Sequence, residues 1–525
     1  MFPESGFRLS YGKATPAERE ETGPQSVSAL MQDGSRHAIK LRGLVPRVIV
    51  RERLRGQRSC HLPRGSVNPH FDQLTCEARS DRLDSRPIHV EVLNLLKRDN
   101  SRVATLKEVI SCTSGYDPAA LPVAKANEVI RSFINPVSGV EKPRVRAALG
   151  RVLAKDIVSP INVPSHDNSA MDGYAVRNDD LGTGEPVTLT EIGTAYAGRE
   201  FTGEVKRGEC VRVTTGAVMP KNTDTVVIQE AVTANGKRIT IPPGQEPGQN
   251  RRLAGEDLRK GRPALHAGRM LRPADIGLIA SLGIGEVSVR RQLKVAFFST
   301  GDELVSVGRK LKAGEVYDSN RYTLWGMLQR LGCEVIDLGV VRDDPKKLET
   351  AFRTAAAVAD AVVTSGGVSV GEADFTKQIM AKLGEVVFWK IAMRPGRPMA
   401  FGRIRAHGKS AYLFGLPGNP VAVMVTFYHF VRGALLLMMG RNDVDLPLLR
   451  AKSETAMRKK PGRTEYQRGI LELKSGEWSV RLTGAQGSGI LRSMSEANCF
   501  VVLGHEQSTV KVGDYVEVMV MDGLV

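Results

Sequence analysis

Three observations lead the sequence to predict a multidomain protein of α/β and β type, with one central parallel-sheet α/β domain and β domains around it. Residues 291–440 alternate apolar strand-like runs with helical patterns (KVAFFS, RYTLWGMLQRLG, EVIDLGVV, KKLETAFRTAAAVA, DAVVTSGG, FTKQIMAKLG, EVVFWKIA), the rhythm of parallel strands joined by crossover helices. Short β-rich runs broken by Gly, Asn and Pro flank that stretch: PVTLTEIG, CVRVTTGA, TVVIQEAV and RITIPP before it, and EYQRGILELK, WSVRLTG and YVEVMVM in 441–525, where they suggest a terminal β-barrel. The chain of 525 residues has room for three or four domains of roughly 100–200 residues each.

Taken in order, residues 1–104 stand apart. They hold 15 Arg, 3 Lys and 12 acidic residues with little periodicity, so a basic extension is expected there, either a solvated, disordered arm or the product of a start placed too far upstream. From Thr105 the pattern turns helical in TLKEVI and ALPVAKANEVIRSFI, and VRAALGRVLA reads as a further short helix. Pro160 and Pro164 then hold DIVSPINVP extended. After the small β region come a Gly/Pro/Arg-rich stretch, a helix near Pro273–Leu282 and a strand over Glu286–Val289.

Composition narrows the function. Hydrophobic residues make up 42% and charged residues 25%, enough to bury cores. The most apolar stretch, Val421–Met439, is interrupted by His429 and Arg432, and the first residues lack a secretory pattern, so no membrane association and a cytoplasmic location are expected. Cys60, Cys76, Cys112, Cys210, Cys333 and Cys499 form no CxxC pairs, which fits neither a zinc ribbon nor a disulfide framework. The net charge of +17 admits an anionic partner; aromatics are only 5% and do not interleave with basic clusters, which favours an anionic metabolite over nucleic acid.

The chemistry-bearing segments fall at strand ends. Ser365-Gly366-Gly367, with Ser369 and Gly371 following, forms a Gly/Ser loop between a strand and a helix opened by Asp374, where converging N–H groups can hold a phosphate. A carboxylate there makes sense if Mg²⁺ bridges it to phosphate, and equally as a helix cap. Ser299-Thr300-Gly301-Asp302-Glu303 and Gly415-Leu416-Pro417-Gly418-Asn419 are two further strand-end loops that would open on the same crevice. Tyr317-Asp318-Ser319-Asn320 and Asp343-Asp344 add carboxylates, with Asp318, Asn320 and Asp344 read singly as caps or turn formers. Lys390, Arg394 and Arg397 surround Pro395 and Pro398 in a stiffened cationic loop suited to a dianionic oxyanion.

The ordered set NSAMDGYAV, TTGAVMP, STGDEL, YDSNR, TSGGVSVGEAD, MRPGRP and GLPGNP resembles the molybdopterin molybdenumtransferase family, the MoeA type related to the gephyrin E domain, over about 106–525. The resemblance implies an elongated domain in two parts (105–173 and 247–290), a small β-domain inserted between them (174–246), a molybdopterin-binding α/β domain (291–440) and a C-terminal barrel (441–525). It implies insertion of molybdate into adenylylated molybdopterin with Mg²⁺-dependent release of AMP, by a homodimer in which Asp172 and Thr215 act across the interface. Glu303, Asp343 and Asp374 would hold Mg²⁺; Lys390, Arg394 and Arg397 would bind phosphate and molybdate oxygens, with Arg468 and Ser488 reaching in from the barrel. Ser299, Thr300, Gly301, Ser365, Gly366, Gly367, Ser369, Gly371, Pro398, Gly418 and Asn419 would line the cofactor site. Molybdopterin adenylyltransferase and apo-molybdoenzymes are further partners that it implies. Arg394 and Arg397 replace lysines common in the family, and Ala422 a common serine. The alternatives are a non-catalytic molybdopterin carrier or scaffold, and the adenylyltransferase of the preceding step.

Overall fold

The computed structural model describes Leu106 and residues 120–182, 184–367 and 374–521, which belong to one compact unit, His89–Val525. The expectations for 1–104, Ser369 and Gly371 fall outside the described residues, and of Asp374 only the backbone is described.

The first helix, α1 (Val123–Phe133), buries Ala126, Val129, Ile130 and Phe133, a helical stripe that seats it on the α/β domain. Phe133 meets Phe401 and Tyr412 edge-on, with centroids 5.7 and 5.8 Å away. VRAALGRVLA does not form the expected helix: Val145–Ala148 is a single 3₁₀ turn. Gly150, at φ 74°, ends it, and Gly150 and Leu153 donate their N–H groups to Leu271 and Arg269, both at 2.9 Å. Tertiary pairing outcompetes local propensity there.

The small β region is one six-stranded mixed sheet. Its strands are β1 (Gly173–Val176), β2 (Val187–Ala195), β3 (Glu209–Val213), β4 (Thr225–Ile228), β5 (Thr233–Asn235) and β6 (Arg238–Ile241), in the order β4-β1-β3-β2-β6-β5. Tyr174 and Val176 enter one core while Ala175 enters another, so both faces are covered, as the two-residue period requires. Helix α2 (Pro273–Ser281) follows, and Asp275 caps its start through the Arg272 N–H at 2.9 Å.

The α/β domain contains β7 (Lys294–Thr300), α3 (Ser319–Arg330), β8 (Glu334–Val341), α4 (Pro345–Val358), β9 (Ala361–Ser365), α5 (Asp374–Leu383), β10 (Gly384–Lys390), β11 (Pro398–Ala406) and β12 (Lys409–Leu416). Its sheet order is β8-β7-β9-β12-β11-β10. The first four strands are parallel, as expected of a central parallel-sheet α/β domain, and β11, antiparallel to both neighbours, makes the full six-stranded sheet mixed. His407 and Gly408, at φ 49° and 73°, form the two-residue hairpin that reverses the chain between β11 and β12. Val295 and Phe297 face the core shared with α3, and Ala296 and Phe298 the core shared with α4.

The helix over Pro420–Met438 is long and apolar enough to cross a membrane, contrary to the expectation that His429 and Arg432 interrupt it. The window that passes that test is 72% buried inside the protein, so it serves as a core helix. Its middle turn, Phe427–Val431, is a π-helix. His429 is accommodated there by stacking on Tyr466 at 3.7 Å, and Arg432 by donating to the Val444 carbonyl at 3.0 Å.

Five strands, β13 (Leu449–Ser453), β14 (Thr464–Lys474), β15 (Glu477–Leu482), β16 (Cys499–Leu503) and β17 (Tyr515–Val520), close into a ring, β14-β15-β13-β17-β16 and back to β14. Closure leaves the barrel no free edge. The two-residue strand Met393–Arg394 attaches to β14 in parallel.

Candidate active site

The carboxyl ends of β7, β9 and β12 open on a cleft of 1260 Å³. Its floor carries Thr300 and Gly301, Gly366 and Gly367, and Gly418 and Asn419, one segment from each strand end. Gly366 and Gly367 sit at φ 91° and 69°, and a Cβ on Gly366 would lie 2.5 Å from the Thr300 carbonyl oxygen, so only glycine fits that crossing. Gly301, at φ 150°, faces only the movable end of the exposed Glu303 side chain, whose carboxylate oxygens lie 2.6 and 2.7 Å from where a Cβ would be.

One wall is cationic. Arg394 and Arg397 are exposed into it from the loop around Pro395, and Gly396, at φ 95°, lets that loop pass Thr426, whose hydroxyl would be 2.4 Å from a Cβ. Arg463, Gln486, Gly487 and Ser488 line the same cleft from the barrel. Glu303 and Asp343 bring carboxylates to the same lining.

Within the lining, Asp318 caps α3 by accepting from the Arg321 N–H at 3.1 Å and also accepts from the Ser299 hydroxyl at 3.0 Å. Burial raises its pKa against those two hydrogen bonds. Asn320 donates to the Ser365 hydroxyl at 2.8 Å and to the Gly418 carbonyl at 2.7 Å. Thr300 Oγ1, Asp318 Oδ2 and Asn320 Oδ1 are buried with no partner among the described residues.

The expected site residues distribute as follows. The cleft gathers Thr300, Gly301, Glu303, Asp343, Gly366, Gly367, Arg394, Arg397, Pro398, Gly418, Asn419 and Ser488. Ser299 and Ser365 lie under the floor, engaged by Asp318 and Asn320. Arg468 is buried behind the wall, donating to Ser493 Oγ and to the Gly487 carbonyl, both at 3.0 Å. Burial first, and the neighbouring Arg394 second, lower its pKa to about 10. Lys390 ends β10, half-buried, outside the cleft lining.

Asp172 and Thr215 are also outside it. They form a pair at the edge of the small sheet, where Asp172 accepts from the Thr215 N–H at 2.6 Å and from its hydroxyl at 2.9 Å. Those bonds, the backbone one first, lower the Asp172 pKa. Sequence reasoning missed Arg463, whose signal was a PGR turn just before a barrel strand, and Gln486 and Gly487, which flank the serine it had selected.

Three family models match in order: the MoeA N-terminal region (domain I and II) over 121–283, a probable molybdopterin binding domain over 296–436, and the MoeA C-terminal region (domain IV) over 450–521. The chain is 46% identical over 377 residues to the molybdopterin molybdenumtransferase of Haemophilus influenzae, covering 71% of this chain and 92% of that protein. It is 36% identical over 379 residues to the Nostoc sp. protein of the same name, covering 71% and 87%. The chain belongs to the molybdopterin molybdenumtransferase (MoeA) family. A crystal structure of the MoeA protein of molybdopterin biosynthesis from Pyrococcus horikoshii OT3 superposes with a TM-score of 0.68 at 30% identity, covering 76% of this chain and all of that one (100%). In this MoeA-family chain the cleft falls mainly in the segment matched as molybdopterin-binding, and the third match supplies Arg463 and Gln486 to Ser488.

Proposed function

We infer that this chain is a molybdopterin molybdenumtransferase: in molybdenum cofactor biosynthesis it inserts molybdate into adenylylated molybdopterin and releases AMP. The observation that carries this reading is one cleft whose lining joins the glycines of three strand-end loops with guanidinium and carboxylate side chains. The Gly367 backbone N–H suits the phosphoanhydride, while that of Gly366 donates to the Leu416 carbonyl at 3.1 Å and fixes the loop against β12. Arg394 and Arg397 suit molybdate, a dianion held best by preorganised charge-assisted hydrogen bonds.

Mg²⁺ fits the donor set. Glu303, Asp343 and the unpartnered Thr300 hydroxyl are hard oxygen donors on one cleft. Among the described residues no three His, Cys, Asp or Glu side chains converge as a metal group, so substrate phosphate oxygens would complete the shell, as is usual for this ion. We assign Glu303, Asp343 and Asp374 as its holders; when bound, it offsets negative charge on the phosphoanhydride. Arg394 and Arg397 meanwhile orient molybdate, and the barrel segment Gln486–Ser488 bounds its side of the cleft.

We further assign the active form as a cytoplasmic homodimer in which Asp172 and Thr215 of one protomer complete the cleft of its partner, and take 105–173 with 247–290, 174–246, 291–440 and 441–525 as its domains. The preformed Asp172–Thr215 pair, set apart from its own chain's cleft, supports that sharing. The test is AMP release from adenylylated molybdopterin, with and without molybdate and Mg²⁺, by wild type and Asp374→Ala. Release that needs both ions and falls about 10²- to 10³-fold in the variant is expected. Tight binding without release under any condition would replace this reading with the carrier.

A further inference from the structure

Asp318 and Asn320, two residues of the first turn of α3, tie together all three strand-end loops that floor the cleft. Asp318 holds the end of β7 through Ser299; Asn320 holds the end of β9 through Ser365 and the loop after β12 through Gly418. The Gly418 carbonyl can only accept, so the Asn320 NH₂ must face it and the Asn320 carbonyl oxygen must point elsewhere. That oxygen, Asn320 Oδ1, and Asp318 Oδ2 have no partner among the described residues, although Asp318 and Asn320 are only 2% and 7% exposed and both line the cleft. A buried carboxylate oxygen left unpaired costs free energy, a cost relieved when a ligand supplies the donor.

Both unpartnered atoms are acceptors. An anionic oxygen would be repelled there, so phosphate and molybdate belong at the glycines and arginines instead. A heterocycle edge matches two acceptors only if it offers two adjacent donors. The pairing edge of adenine offers one donor beside one acceptor, whereas a pterin carries the 2-amino group next to N3–H. Resting on the functional reading above, we propose that Asp318 and Asn320 form the specificity determinant for the pterin, accepting hydrogen bonds from its 2-amino and N3–H donors and fixing it against the loops they clasp.

Asp318→Asn is the informative variant: asparagine still caps the helix, while an NH₂ replaces one acceptor oxygen. With full-length protein, calorimetric titration should show molybdopterin binding weakened about 10- to 100-fold, the loss expected for a hydrogen bond to a charged group, with AMP and molybdate binding within twofold of wild type. Equal weakening for molybdopterin and AMP, loss of AMP alone, or unchanged molybdopterin affinity would each overturn the proposal. Should the variant misfold, wild type decides it by competition against molybdopterin: pterin should compete at least tenfold better than lumazine, which carries a 2-oxo acceptor in place of the amino donor, and equal competition would refute it. Wild type that binds no molybdopterin at all would refute the functional reading itself, a result distinct from binding that Asp318→Asn leaves unchanged.

Discussion

The carboxyl end of the parallel strands and the C-terminal barrel domain both bury polar side chains, and they satisfy them to different degrees. In the barrel, Lys459 is 5% exposed and its Nζ donates to the carbonyls of Lys460, His505 and Gln507, at 3.3, 3.2 and 2.7 Å. Under the cleft, Thr300, Thr364, Asp318 and Asn320 each keep a buried atom without a partner among the described residues, against one, His505 Nδ1, in the barrel. The first pattern is a fold satisfying itself; the second is what remains when a site keeps hydrogen bonds for a ligand. Polar substitutions in the two regions should therefore separate function from stability.

Glu303→Gln gives the sharpest separation. AMP release should fall about 10²- to 10³-fold while the thermal midpoint stays within a degree or two of wild type; an equal fall in both would erase the contrast. Arg468 sits between the regions, because its buried guanidinium holds the Gly487 carbonyl of the cleft wall yet lacks a carboxylate partner among the described residues and lies near Arg394. An Arg468→Met chain should keep or gain stability, since an uncompensated buried charge is removed, and should lose the midpoint increase that molybdate gives wild type in thermal melts. In the barrel, Lys459→Met should cost about 1–3 kcal/mol by urea unfolding, from carbonyls left unpaired, with AMP release per folded molecule unchanged.

The smallest effect depends on pH. Burial lowers the His429 pKa to about 3 from an ordinary 6.5. The unfolded chain thus takes up a proton below pH 6.5 that the folded chain refuses, and stability falls as the pH drops from 6.5 towards 3, with no contribution above that window. His429→Phe should flatten the acid limb by about 1.4 kcal/mol per pH unit, measured as urea midpoints from pH 7 to 4. An unchanged slope would mean that His429 gains a partner as the acid limb is entered.

What the sequence disclosed follows from how local each signal is. Loops such as Gly366-Gly367 and Arg394–Pro398 were legible because glycine and proline announce backbone geometry directly. Asp318 was read as a helix cap, which it is; its second oxygen emerges only once Ser299 and the cleft are in place. Strand β11 escaped notice because Arg403 and Arg405 dilute the apolar pattern of PMAFGRIRA, and because antiparallel reversal is encoded in the two residues His407 and Gly408. The expected helix at VRAALGRVLA failed for the opposite reason: its local propensity was sound, but Leu153 pairs with Val289, more than a hundred residues away.

Arg394 belongs by sequence to the α/β domain, yet its backbone is paired with Glu465 as an extra strand on the barrel, and the Thr464 N–H donates to the Ala392 carbonyl at 2.9 Å. Across the cleft, the Val421 N–H is joined to the Ser488 carbonyl at 3.1 Å. These two stitches make the arginine grip part of the barrel's mechanics. The backbone that carries Arg394 thus belongs to two domains at once, and the position of that guanidinium is set by the barrel as much as by the sheet it follows.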